Sequence, residues 1–239
     1  MSETSPTLTD RLEHTTRVGP NLAVTRYSER QSYDPAALAA ILNEAMIAHV
    51  GFVRNGWPVV LPFLHALGDL RDGQGPQLLL HGSPVGGIFD QAGTTGIDVS
   101  VCVSLLDGLV FARSAYASGA LYRSAVIFGR ARIVPPDLRP TALGFLTDHI
   151  MPGRRAEIRP MRGKEVAATA VLAVGLTQAT VKIAAESTGE QPGDGEDRGV
   201  WAGVVPLAVR AGDPRPSPET QNPMAVPPSV QAFVDRLNG

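Results

Sequence analysis

Three short polar stretches of this chain carry the residue types that hold an anion: His81-Gly82-Ser83-Pro84, Arg113-Ser114 and Tyr122-Arg123-Ser124. Each lies at the end of a run of β-forming residues. Arginine offers a planar fork of donors and the hydroxyls add short hydrogen bonds, the combination that grips a phosphate. Ser83 followed by Pro84 predicts a helix start, and the free amides of such a start also suit a phosphate. Against it, Val85-Gly86-Gly87 is poor helix material, and no Lys or Arg lies between Arg71 and Arg113. His81 follows Leu78-Leu79-Leu80, where an apolar strand gives way to a turn, and Gly82 leaves room for a ligand beside the backbone. An imidazole there titrates near neutrality and could donate a proton. The plainer alternatives are a simple turn at His81–Pro84 and solvated sheet-edge arginines at 113 and 123; pattern alone leaves both sets open.

Other chemistries have no pattern to rest on. There is no G-x-G-x-x-G after a strand, no G-K-[ST], no H-E-x-x-H and no G-x-S-x-G. His14, His49, His65, His81 and His149 are scattered, without a carboxylate at metal-ligand spacing. Cys102 is the sole cysteine, so no internal disulfide is available, and its valine-rich strand predicts a buried, inert thiol. Arg154, Arg155, Arg159, Arg162 and Lys164 form a basic patch, read either as a binding surface or as a solvated loop neutralised by nearby acids.

The elements that position these residues read mainly as strands. In Asp98–Ser104, Val99, Val101 and Val103 alternate with Ser100, Cys102 and Ser104, which predicts a strand with one face in a core. Asp107-Gly108 reads as a two-residue hairpin turn, with Leu109–Ala112 as the return strand and Tyr122–Val134 as a further strand ending at Pro135-Pro136. Asn55-Gly56 is a second hairpin signal, between strands His49–Arg54 and Trp57–Ala66. Pro62 cannot donate to a ladder, so its strand belongs at an edge or beside a ligand. Gln77–His81, Val171–Leu176, Thr180–Ala185 and the apolar Trp201–Leu207 segment complete the set. A helix capped by Asp34, with Pro35 first and ending near Ala48, presents the stripe Leu38, Ile41, Leu42, Ala45 and Met46. Asp137–Ile150 and Lys164–Ala170 also read as helical. Residues 1–21 read as an arm, 22–212 as one domain with a short extended piece at Leu22–Tyr27, and Glu186–Gly199 as a Gly-rich acidic loop. Residues 213–239 read as a Pro-rich tail with a short terminal helix. Six or seven hairpin-joined strands with peripheral helices predict an antiparallel barrel or sandwich.

Composition narrows the function class. The 239 residues are 44% apolar and 18% charged, with a net charge of −2, so a core is available and a nucleic-acid surface is not suggested. Aromatic content of 5% argues against base-stacking platforms. No apolar run reaches the roughly 20 residues of a membrane helix, and no signal-peptide core precedes the domain. The expectation is a cytoplasmic protein without a membrane or nucleic-acid partner.

The order HVGFVRNGWPVVLP, LLLHGS, LLDGLVFARSAY, YRSAVIFGRARIV, PGR, WAGVVPL resembles the pyridoxamine 5′-phosphate oxidase-like flavin-binding proteins, most of all the group that includes nitroimidazole-resistance reductases. That resemblance covers roughly Arg26 to Leu207. It implies a mainly β (α+β) fold, an antiparallel split β-barrel with peripheral helices, and a homodimer with FMN in the groove between subunits. It places the flavin ring near Pro62 and Phe63, with His81, Gly82 and Ser83 beside the cofactor. Arg113, Ser114, Tyr122, Arg123 and Ser124 match its second motif, and Trp201 its C-terminal segment. The implied activity is FMN-dependent reduction or oxidation of a small organic substrate, with His81 as the candidate proton donor. Departures remove groove charge: Ala117–Leu121 stand where relatives carry His and Asn, Val85-Gly86-Gly87 where a basic residue follows HGS, and Ile183–Ala185 where an arginine is usual. These favour an alternative, a non-redox split barrel binding haem, a deazaflavin or a small metabolite.

Overall fold

A computed structural model describes residues 28–185, 198–220 and 224–239. The arm 1–21, the extended piece Leu22–Tyr27 and most of the acidic loop lie outside the described residues. Nine antiparallel strands are formed among those described: β1 Gln31–Ser32, β2 Ile47–Arg54, β3 Trp57–Asp69, β4 Pro76–Gly82, β5 Ile97–Phe111, β6 Gly119–Ile133, β7 Ala170–Gly175, β8 Ala179–Ala184 and β9 Gly203–Pro206. Six of them, β2-β3-β4-β7-β6-β5, close into a ring because β6 also pairs β5. The ring is split at two strands that change neighbours along their length. Residues 57–64 of β3 pair β2 and residues 65–69 pair β4. In β6, Tyr122–Ile127 lie against β8 and Arg132–Ile133 against β7. This is the antiparallel split β-barrel that the resemblance implies.

Two cores follow from strand alternation. Val50, Phe52, Leu78, Leu80, Val99, Val101, Val103, Ile127, Leu172 and Val174 fill the barrel. One end is closed by helix α1, Pro35–Glu44, whose Leu38, Ile41 and Leu42 are buried. Its start is as the sequence predicts: the Asp34 carboxylate accepts from Ala36 N at 3.0 Å, and Pro35 is the first helical residue. It ends at Glu44, before the expected Ala48, because strand pairing claims the chain from Ile47 onward. The second core lies outside the barrel, where Leu79, Val171 and Ala173 meet Leu143 and Leu146 of helix α3, Arg139–Ile150. The run Leu78-Leu79-Leu80 is therefore a strand buried on both faces. Gly68 lets α3 approach, since a Cβ there would lie 2.7 Å from the Phe145 ring.

Two sequence expectations are overturned. Asp107-Gly108 is not a hairpin turn: neither residue has a positive φ, and β5 runs through both as one 15-residue strand. Asp107 is instead a β-bulge, the register stepping from Leu106↔Tyr122 to Gly108↔Leu121. Pairing on both sides holds the chain extended, since Gly108 also opposes Pro206 of β9 and the Asp107 carbonyl accepts from Leu207 N. The glycine serves close approach: a Cβ would sit 3.0 Å from the Val205 carbonyl. Asn55-Gly56, by contrast, is a true turn, with φ of 52° and 80°. The helix expected at Pro84 starts later, as α2, Gly87–Ala92. Ser83 Oγ accepts from Val85 N at 3.2 Å in a local turn, and Gly86 and Gly87 adopt left-handed φ, so no capped helix N-terminus faces out at Ser83.

A short helix α4, Gly163–Ala167, and a terminal helix α5, Pro228–Asn238, complete the structure. The α5 start is tied to the body by Ser229, whose N and Oγ both donate to Glu157. Among the described residues no helix is long and apolar enough to cross a membrane.

Candidate functional site

The sheet formed by β3, β2, β5, β6 and β8 has an inner face in the barrel and an outer face that is exposed at Ile47, His49, Pro62, Leu64 and Ser104 among the described residues. One row of paired residues crosses it: Pro62, His49, Cys102 and Val126. Pro62 lies on the half of β3 paired only with β2, so the edge position expected for a strand containing proline is found. Cys102 is half-buried on this outer face and not in the core; burial still pushes its thiol above the usual range.

The first group of predicted residues sits around the end of β4. Phe63 packs edge-on against Phe89 of α2, ring centroids 5.9 Å apart, and Phe89 lies on Gly82. A Cβ at Gly82 would come within 2.4 Å of that ring. The open space expected beside Gly82 is therefore filled by a phenyl ring, which corrects the sequence reading: this glycine admits Phe89. His81, next along β4, is half-buried and pairs with Val171 across the sheet. Its Nδ1 is buried without a hydrogen-bond partner, and burial lowers its pKa below the usual 6.5. At neutral pH it offers a neutral imidazole. Ser83 and Pro62 are exposed beside it.

The second group sits at the far end of β5 and β6. Tyr122, Arg123 and Ser124 are half-buried, facing Leu106, Leu105 and Ser104 of β5. The Arg123 guanidinium is taken by two acids. Its Nε and Nη2 donate to Asp107 at 2.9 and 2.7 Å, and Nη2 also reaches Glu44 at 2.7 Å, with Nη1 donating to the other Glu44 oxygen. These bonds hold the guanidinium far above any physiological titration. Sequence reasoning missed Glu44 and Asp107. One signal was available: an acid as the last residue of a helix opposes the macrodipole and calls for a cation. Arg113 and Ser114 lie in the β5–β6 connection, where the Ser114 hydroxyl and carbonyl accept from Ala117 and Ser118. Trp201 is two-thirds exposed, 6.3 Å from the Phe111 ring, just before β9.

The structure thus brings the predicted residues into two groups and does not unite them. Three strand spacings separate Pro62 from Val126 across the sheet, about 14 Å. Between and around them the outer face exposes Ile47, Leu64, Leu106, Leu109, Phe111 and Val205.

Three arginines of the basic patch and two of the histidines make structural contacts. Arg154, Arg155 and Arg159 pair with Glu157, Asp148 and Glu165 at 2.9, 2.7 and 2.7 Å, the neutralised-loop alternative. His65 and His149 donate to the Leu42 and Ala45 carbonyls at the end of α1, at 3.1 and 2.8 Å. Among the described residues no group of three His, Cys, Asp or Glu is placed to hold a metal ion.

Comparison with known proteins fits this architecture. A family model described as pyridoxamine 5′-phosphate oxidase matches residues 34–183. The FAD and haem binding protein of Mycobacterium smegmatis is 35% identical, covering 86% of this chain and 97% of its own, with a TM-score of 0.77. The flavocytochrome Anf3 of Azotobacter vinelandii is 32% identical over 87% of this chain and 94% of its own, also at 0.77. A candidate 5-nitroimidazole antibiotic resistance protein of Bacteroides thetaiotaomicron shares the fold at 21% identity and a TM-score of 0.52, over 64% of this chain and 86% of its own. Among curated proteins none matches. With the family model spanning well over half of the sequence and two relatives above 30% identity along most of it, the chain belongs to the pyridoxamine 5′-phosphate oxidase family.

Proposed function

We propose that the protein is a flavin-binding oxidoreductase acting on a small organic substrate, and that it works as a two-fold dimer with the flavin between copies. The observation that carries this reading is the division of the site. Pro62, Phe63 and His81–Ser83 stand on one side of an exposed apolar face, and Arg113, Ser114, Tyr122, Ser124 and Trp201 on the other. Two copies related by a two-fold axis bring the first group of one to the second group of its partner. When bound, the flavin supplies the redox chemistry. The chain supplies position and polarity. The free edge of β3, interrupted by Pro58 and Pro62, offers backbone amides and carbonyls to the polar edge of a ring. His81, neutral at pH 7, offers a hydrogen bond without a charge. Arg123 is held by Glu44 and Asp107, and the phosphate is assigned to the motif that also carries Arg113, Ser114, Tyr122 and Ser124. FMN is the smallest flavin cofactor that carries a phosphate; the mycobacterial relative is described as binding FAD and haem.

A second reading, haem beside or instead of flavin, has its own support. The Mycobacterium smegmatis and Azotobacter vinelandii relatives are described as a FAD and haem binding protein and a flavocytochrome. His49 is exposed on the same outer face, between Pro62 and Cys102, where it could meet an iron. One absorption spectrum separates the readings: a band near about 450 nm reports flavin, and a band near about 410 nm reports haem. Protein that takes up neither added FMN nor FAD refutes the flavin reading. A solution mass of a single 25.2 kDa chain at micromolar concentration refutes the shared site.

A further inference from the structure

The sequence holds two Asn-Gly pairs, Asn55-Gly56 and Asn238-Gly239, and the fold treats them oppositely. Asparagine followed by glycine carries a latent reaction. The glycine amide nitrogen, once it sheds its proton, attacks the side-chain carbonyl carbon of the asparagine, because no Cβ stands in the way. How fast it does so depends on how firmly the fold holds the two groups apart.

Asn238 is held. It is the last residue of α5, where its Oδ1 accepts from Ala211 N and its Nδ2 donates to the Ala211 carbonyl, both at 3.0 Å. The attacking group is engaged as well, Gly239 N donating to the Asp235 carbonyl at 2.9 Å. Three hydrogen bonds must therefore open before carbon and nitrogen meet. Asn55 is the opposite case. It lies at the tip of the β2–β3 hairpin, and both it and Gly56 are exposed. Among the described residues neither the Asn55 side chain nor the Gly56 N–H has a hydrogen-bond partner. Nothing lies within 4 Å of the point where a Gly56 Cβ would stand, so water and hydroxide reach this amide. The turn must relax from its left-handed φ values of 52° and 80° for a ring to close. The support beside it is thin, since residues 57–64 of β3 pair with β2 alone.

We propose that Asn55-Gly56 is a site of spontaneous deamidation and that the fold protects Asn238-Gly239 from the same reaction. Gly56 N bonds to Asn55 Cγ and the Cγ–Nδ2 bond breaks; ammonia leaves with the proton that the Gly56 amide gave up. Water then opens the cyclic imide. Opening at the side-chain carbonyl leaves aspartate, and opening at the backbone carbonyl leaves isoaspartate, with the main chain routed through the side chain. No oxidant, reductant or cofactor takes part, and the proposal does not depend on the flavin reading. Both products add a negative charge at the hairpin tip. Isoaspartate also adds a carbon to the main chain, which a two-residue turn closed at Arg54↔Trp57 cannot absorb in register. The disturbance enters β3 on the half that carries Pro62 and Phe63.

Full-length protein is incubated in mildly alkaline buffer, folded and in urea, and both pairs are followed by peptide mass spectrometry, with aspartate and isoaspartate separated by chromatography. In the folded chain Asn55 should convert at least about tenfold faster than Asn238, whose hydrogen bonds must open first. In urea that gap should close. Asn55→Gly, which keeps a left-handed turn, should abolish the acidic species that accumulates on a charge-resolving gel, whereas Asn238→Ala should leave it. Equal rates at the two pairs in the folded chain overturn the proposal, as does a gap of the same size in urea.

Discussion

Replacing His65 by Gln should remove most of the acid sensitivity of this fold between about pH 4 and pH 6.5. His65 is fully buried, and its Nε2–H donates to the Leu42 carbonyl at 3.1 Å. Its Nδ1 is buried with no partner. A lone pair tolerates that position; the second N–H created by protonation would be an unsatisfied buried donor. Burial lowers the pKa from 6.5 to about 4, with the His149 ring, 5.3 Å away, adding repulsion and the Leu42 bond opposing. The sign follows. Between about 4 and 6.5 the unfolded chain holds a proton that the folded chain refuses, so stability is present above 6.5 and is lost as pH falls to about 4. At about 1.4 kcal/mol per pKa unit the loss is on the order of 3 kcal/mol. Glutamine keeps a donor for Leu42 and cannot titrate. Urea unfolding across this range should show the variant less stable at pH 7, from imperfect packing, but with a flatter slope, the two curves converging near pH 4. Parallel curves for the two proteins would refute the argument.

Gly82→Ala should cost about 1–3 kcal/mol by pushing the Phe89 ring, and Phe89→Leu in the same chain should recover most of it; thermal melts of the single and double variants decide. Arg123→Ala and Asp107→Ala should be strongly non-additive, with a coupling of about 1–2 kcal/mol after allowing for their partial exposure; a coupling near zero in urea melts would return Arg123 to the ligand. His81→Gln should leave the melting temperature nearly unchanged while altering flavin binding or turnover and flattening its pH profile below 6.5, since burial depresses the His81 pKa; identical binding and turnover at every pH would make His81 structural.

Alternation and turn chemistry made most of the barrel readable. Val99, Val101 and Val103 are in the core as their spacing requires, Asn55-Gly56 turns, and Asp34-Pro35 starts a helix. What failed did so where another part of the chain, distant in one case and neighbouring in the other, overrode a local signal. Asp107-Gly108 carries turn chemistry, yet β6 and β9 hold it straight. Ser83-Pro84 carries cap chemistry, yet two left-handed glycines intervene. The site was legible as a set of residues but not as geometry: no local pattern announces that Glu44, 79 residues away, closes on Arg123, or that Phe89 occupies the space beside Gly82.

The split ring also sets a timetable for synthesis. Leu79 must find Ala173 before the barrel can close, and β6 completes its switch of neighbours only on the same strand β7. Until residue 175 has left the ribosome, β4 has one unmade edge and a leucine run meant for two cores. A nascent chain arrested before Ala170 should therefore be cut rapidly by protease and recruit chaperones, while one arrested well past Ala184 should resist. Equal resistance of the two would mean that the first six strands hold together without the seventh.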